Sequence, residues 1–449
     1  MIKQFNLRIQ LLFFIIVIFT FSGKCYSEES FHRITFVRDS LPNGMQIIYH
    51  IDRSAPIVAT VMHYRVGSKD EDTNKTGYAH FFEHLMFEAT ENIPRASIDK
   101  YIEEASGTLN AYTSFDETVF FFVVPANEIK LPLWIESQRM RKLKLDTVSV
   151  ETQRGVVLEE LKMSTTNQPY GSMLSKMAAF LFPGTHYAWE TIGSAEHIQN
   201  ATIDDFKQFY NKYYQPNNVT LVIAGDFNID SAKQYVRDYF GIYPKVENLQ
   251  RYSFDLKPLN SGSTETIVDE KAQLPGIFIG FRGPALNDSN YYALNLLSNI
   301  LASGTSSRIY QRLVDKEQLA LEASMFPWSL QYSGAIIIYA IANQGVKLEA
   351  VQKAIEQEIK QIAKDGVSEE ELTKAKNITE SAFVFGKKNV LEKAKTLAKY
   401  YSYYSDPNMI NTELEKYMKV TLEDIKRVAR LYLDTDKKII LKYVLNKNK

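Results

Sequence analysis

Cysteine is nearly missing from this chain: Cys25 is the only one in 449 residues. No disulfide can form downstream of it, so packing has to hold the fold together. Excess charge is missing as well, since 52 Lys and Arg against 53 Asp and Glu give a formal net charge of −1. That balance argues against nucleic acid as a partner. Apart from Leu11 to Phe21, which is short for a bilayer span, there is no long apolar run. Histidine is missing from the second half, because all seven lie at or before His197. Any histidine-based metal chemistry therefore belongs to the first half.

The apolar run has a telling context. Lys3 and Arg8 precede it and small or polar residues follow as far as Ser27, the layout of a secretory signal peptide over 1–27. The sequence predicts an exported protein, periplasmic or otherwise extracytoplasmic, with an uncleaved membrane anchor as the alternative. At 449 residues the chain is too long for one core and suits two domains.

The most informative stretch is Gly77 to Phe87. A helix turns about 100° per residue, so His80, Glu83 and His84 share one face while Tyr78, Phe81, Phe82, Leu85, Met86 and Phe87 fill the rest. A helix apolar nearly all round is normally buried, and three ionisable groups inside it need a partner. A divalent metal answers that need: two imidazoles four apart reach one ion, and the carboxylate between them is left to handle a proton. The competing reading is a core helix whose histidines are satisfied by hydrogen bonds. Thr76 is the expected N-cap.

A third metal ligand is sought on a predicted helix from Ser149 to Met163, where Glu159 and Glu160 are adjacent. Val150, Val157 and Leu161 mark its buried stripe, which Glu160 adjoins and Glu159 opposes, so Glu160 is the candidate. Gln153 lies on the same face, placed to hold a ligand from behind. His32, His50, His63, His186 and His197 have no partner at ligand spacing and are read as structural.

Around these helices the pattern predicts strands Gln46–Ile51 after an Asn43-Gly44 turn, 57–66, 109–114 and 118–124, then a helix over 202–214 and a strand over 219–224. Gly225 to about Ser263 reads as a segment crossing between domains. The order of elements then repeats. Thr202, Asp205, Lys207 and Tyr213 recur at one constant offset as Thr421, Asp424, Lys426 and Tyr432, which marks an internal duplication.

With that helix, that spacing and that duplication, the chain resembles the inverzincin metallopeptidase family of pitrilysin, insulin-degrading enzyme and the mitochondrial processing peptidase, in its short two-half form. The resemblance covers 30–449 and is strongest over Val66 to Glu71, Thr76 to Thr90, Gly107 to Thr113 and Arg154 to Glu160. It implies zinc, one per chain, held by His80, His84 and Glu160, with Glu83 as general base. It also implies that Asn110 and Ala111, on an edge strand beside the metal, bind the substrate backbone as an added strand. The position often acidic in the family is Gln153 here. Two positions that carry an Arg and a Tyr in active members are Val314 and Leu321, and Arg312 lies about 200° round the helix from Val314.

The expected protein is thus α+β, two homologous halves, each an antiparallel sheet packed with helices. Its divisions are a signal peptide (1–27), an N-terminal zinc-bearing peptidase domain (28–235), a linker (236–263) and a C-terminal homologous domain without metal ligands (264–449). The expected function is that of an exported zinc endopeptidase acting on extended or unfolded peptides. A homologous partner subunit would supply the missing Arg and Tyr, a homodimer being the other arrangement. The rival is a non-catalytic peptide-binding or assembly subunit of the same fold.

Overall fold

Runs of β-branched and aromatic residues build two sheets, described in a computed structural model that covers residues 33–446 apart from 247, 248, 253 and 260. The expected signal peptide and Cys25 lie outside the described residues. The first sheet comprises β1 (Val37–Ser40), β2 (Gln46–Ile51), β3 (Ile57–Tyr64), β4 (Thr108–Thr113), β5 (Thr118–Pro125) and β6 (Val219–Gly225), in the order β1-β2-β6-β3-β5-β4. The second comprises β7 (Ser263–Asp269), β8 (Gly276–Gly283), β9 (Ala320–Ser329), β10 (Gly334–Ala342) and β11 (Ile439–Leu445), in the order β7-β11-β8-β10-β9. Without β1 the two orders coincide, so the duplication read from four matched residues extends to the topology. Both sheets are antiparallel except for one pair each, β2 with β6 and β7 with β11, which run parallel. In each half the last strand comes back beside the first.

The helices of the first half are α1 (Tyr78–Leu85), α2 (Ile98–Glu104), α3 (Lys130–Arg141), α4 (Thr147–Leu161), α5 (Met173–Leu181), α6 (Ala195–Asn200) and α7 (Ile203–Tyr213). α8 (Ile229–Phe240) follows β6. This corrects the sequence reading, which took everything from Gly225 to Ser263 as a crossing segment. Asn228 caps α8 by accepting from Ser231 N at 2.9 Å, and Ala232, Val236 and Phe240 bury an i, i+4, i+8 stripe. Later come α9 (Asn290–Ala302), α10 (Arg308–Tyr310), α11 (Leu348–Asp365), α12 (Glu369–Gly386), α13 (Val390–Tyr404), α14 (Met409–Met418) and α15 (Leu422–Tyr432). The repeated Thr and Asp prove to be matching caps: Thr202 with Asp205 and Thr421 with Asp424 each form a reciprocal capping box.

Residues from Thr35 onward form one unit, because the halves exchange helices. α13, from the second half, lies across β3 and β6 of the first sheet. α5, from the first half, lies on β8 and β11, burying Met177 and Leu181 against Phe278, Leu441 and Tyr443. Both faces of β3 and β6 are therefore covered, and these strands are apolar almost throughout rather than alternating. Among the described residues no helix is long and apolar enough to cross a membrane.

Polar groups lock the exchange. The Glu117 carboxylate accepts from Tyr403 of α13 at 2.6 Å and from Tyr112 of β4 at 3.0 Å, and lies 2.7 Å from His63 Nε2. Burial alone would raise this carboxyl, but His63, Lys399 and Tyr403 outweigh it and hold the group down at about 2. A folded-state value below the ordinary 4.5 stabilises the fold above that pH and is lost as pH falls from about 4.5 towards 2. Urea unfolding across that window should show the loss in the wild type and a smaller pH dependence in Glu117→Gln, the remainder coming from other paired carboxylates such as Glu371. At neutral pH, Tyr403→Phe should cost about 2 kcal/mol by removing a donor from a buried carboxylate.

Candidate metal centre and active site

The N-cap of α1 is Gly77, not Thr76 as the sequence predicts. Gly77 takes φ 91°, and a Cβ there would sit 2.5 Å from Ile192 O, so only glycine fits. The capping carboxylate comes from six residues upstream: Glu71 accepts from Gly77 N at 3.0 Å and from Ala79 N at 2.7 Å, and Trp189 Nε1 donates to it at 2.9 Å. Thr76 turns its hydroxyl to His197 Nδ1, 2.8 Å away. The apolar faces of α1 dock on α7, with Phe81 against Phe206 (ring centroids 4.5 Å) and Phe82 stacked on Tyr210 (5.5 Å). Phe81 and Phe82 are fully buried. That packing directs His80 and His84 to the opposite side, towards α4.

There the structure brings together His80, His84 and Glu160. His80 Nε2 is 3.7 Å from Glu160 Oε1, and His84 Nε2 is 3.4 Å from Glu160 Oε2. All three ligand atoms lie within 4.8 Å of one another, the only such group among the described residues. Tetrahedral zinc with bonds near 2.0–2.1 Å needs ligand atoms about 3.3–3.4 Å apart; the two histidine–Glu160 separations are near that span, and the widest pair would draw together to share one ion. Burial and then His84 push the His80 imidazole down to about 4, so its nitrogen stays neutral and available. For His84 burial acts downward too, but the Glu160 carboxylate outweighs it and raises the imidazole.

One detail of the sequence reading is corrected. Glu160 is not buried: its side chain is 46% exposed against 60% for Glu159, and Leu161 is only half-buried. Direction, not burial, separates the two acids. Glu160 faces the two histidines, whereas Glu159 pairs with Lys162 at 3.4 Å.

Glu83 is buried between the histidines, and burial raises its carboxyl, with the Thr113 hydroxyl opposing. Thr113 Oγ1 donates to Glu83 Oε2 at 2.5 Å. Sequence reasoning did not single out Thr113; alternation along β4 gives the signal, since Thr113 and Ala111 share a face. Gln153 lies behind His84, with Oε1 3.3 Å from its Nδ1. Asn110 and Ala111 sit on β4, the outer strand of the sheet, where Asn110 Oδ1 accepts from Ala111 N at 2.8 Å.

The remaining described histidines have other partners. His50 Nδ1 meets Thr35 O at 2.7 Å, His186 Nδ1 meets Lys69 O at 3.0 Å, His63 pairs with Glu117 and His197 with Thr76. His32 lies outside the described residues. In the second half Val314 packs against the core and Leu321 is 62% exposed on β9. Arg312 is held by Glu317 (2.6 Å), Gln357 (2.6 Å) and Glu358 (3.0 Å).

Comparison with known proteins matches residues 46–191 to the family model described as insulinase (peptidase family M16) and 200–379 to that described as the peptidase M16 inactive domain. A zinc protease, PqqE, of Helicobacter pylori is 29% identical over 402 residues, covering 88% of this chain and 89% of that one. The crystal structure of a protease from Helicobacter pylori superposes with a TM-score of 0.87 at 26% identity, over 92% of this chain and 100% of that one. The periplasmic protease PqqL of Escherichia coli shares the fold, with a TM-score of 0.74 at 20% identity over 92% of this chain and 48% of that one.

The geometry separates the neighbouring acids in a measurable way. Glu160→Gln should weaken zinc binding at least about tenfold, while Glu159→Gln leaves it near the wild-type value. Equal losses in chelator-competition titrations would mean that α4 presents the other face.

Proposed function

The chain belongs to peptidase family M16, the insulinase family, and from that premise we propose that it is an exported zinc-dependent endopeptidase acting on extended or unfolded peptides. One observation carries the reading: His80, His84 and Glu160 converge while the carboxylate between the histidines is anchored to the sheet's outer strand. His80, His84 and Glu160 are the residues that would hold zinc, one ion per chain. Zinc bound there supplies Lewis acidity, acidifying a water and polarising a scissile carbonyl. The chain's own residues do the rest. Thr113 holds Glu83 Oε2, which leaves Oε1 to take the proton of the attacking water and pass it to the leaving amine. β4 offers Asn110 and Ala111 to an extended peptide, whose backbone would displace the Asn110 side chain from Ala111 N.

Purified chain should bind one zinc, and Glu83→Gln should keep the metal and lose peptide cleavage. A variant that cleaves at the native rate, or a wild type that takes up no zinc, would overturn the enzyme reading and leave the rival, a non-catalytic peptide-binding or assembly subunit.

A partner subunit belongs to the same proposal. Val314 and Leu321 offer no side-chain donor where active members of the family carry an Arg and a Tyr, and Arg312 is fully engaged with Glu317, Gln357 and Glu358. A donor to the developing oxyanion is worth about 100- to 1,000-fold in rate. Cleavage by the chain alone should be weak and should rise by that order on adding a homologous chain that carries both residues. Full activity from the homogeneous chain would show that other donors serve.

A further inference from the structure

Behind the metal centre a line of polar side chains runs from α1 to the start of α4. Gln153 Nε2 donates to Glu88 Oε1 at 2.8 Å while its Oε1 faces His84 Nδ1 at 3.3 Å. Glu88, only 5% exposed, has its other oxygen 3.1 Å from Arg95 Nη1. Arg95 Nη2 donates to Asp146 Oδ1 at 2.9 Å, and the same oxygen caps α4 by accepting from Ser149 N at 2.9 Å. The line therefore ties the chain just beyond α1 to the N-terminus of the helix that carries Glu160.

The order of donors along this line is fixed by chemistry. A carboxylate paired with an arginine can only accept, so Gln153 must turn its NH₂ to Glu88. Its carbonyl is then the atom that faces His84, and a carbonyl also only accepts. Nδ1 of His84 must carry the proton, which leaves Nε2, the atom directed at Glu160, with its lone pair free. We infer that Glu88, held by Arg95, is a positioning residue that sets the Gln153 amide and through it the ring tautomer of His84. The inference also accounts for an amide at 153: a second carboxylate there would stand against Glu88. It rests on the metal reading given above.

The test is a double-mutant cycle on the full chain, reading zinc affinity by chelator competition rather than peptide cleavage. Glu88→Gln lets the Gln153 amide take either orientation and should loosen zinc by about tenfold. Gln153→Glu alone should not tighten zinc, although a carboxylate is the stronger acceptor. In the Glu88→Gln background the same change should tighten it, because the opposing charge is gone. Additive effects, or unchanged affinity in Glu88→Gln, overturn the inference while leaving the metal reading intact. A wild type that binds no zinc overturns the metal reading and this inference with it. Should Glu88→Gln fail to fold, Gln153→Glu alone still decides: tighter binding in that variant overturns the inference.

Discussion

Three ionisable groups on an otherwise apolar, buried helix set the terms for the first half of this molecule. His80, Glu83 and His84 could not be packed against hydrocarbon without a cost of several kcal/mol, so α1 can settle only where other elements answer each of them. α7 takes the aromatic faces, β4 supplies Thr113 to Glu83, and α4 supplies Glu160 to the histidines. These partners come from far apart in sequence. The site is thus complete only when most of the first sheet and its covering helices are assembled.

The second half shows the same architecture without that constraint. α9 occupies the place after β8 that α1 occupies after β3, and it buries nine of its residues, Tyr292, Leu296, Leu297 and Leu301 among them, with no acidic, basic or histidine side chain. It behaves as an ordinary core helix. What the second half contributes to the first is cover: α13 seals one face of the first sheet, and its Tyr403 reaches the Glu117 carboxylate beside β4. Neither half could keep its sheet dry alone, which gives a physical reason for the duplicated half to persist without metal ligands.

How much of this was legible in the sequence follows the range of the interactions. Strands with period two, the duplicated capping boxes and the phase of His80, Glu83, His84 and Glu160 are local patterns, and the observed elements match the expected two-half α+β fold. The misses are of two kinds. α8 is obscured in the sequence by Gly225 before it and Pro244 and Pro258 after it, residues that punctuate a segment, although Asn228 is a sound cap. Thr113 at Glu83 and Glu88 at Gln153 were hidden because the residues are 30 and 65 positions apart and only the folded chain joins them, and Glu71 at Gly77 because the loop between them must first turn back on itself. Glu160 was assigned by phase, which reports direction round the helix and not what covers it: Leu158 to Leu161 are all half-buried or exposed.

Two roles meet on the outer strand β4. The side chain of Thr113 fixes the carboxylate that would move the proton, and two residues away Ala111 N is the edge donor that Asn110 now occupies. Residues 111 and 113 share both a face and a backbone direction, since the period of a strand is two. On the proposed reading, a peptide added at Ala111 would lie beside the segment that holds Glu83, so that edge and base would meet one stretch of substrate. An edge strand normally invites unspecific pairing. Here Asn110 Oδ1 already takes the Ala111 donor, and on the proposed reading a peptide backbone would have to replace it before pairing could begin.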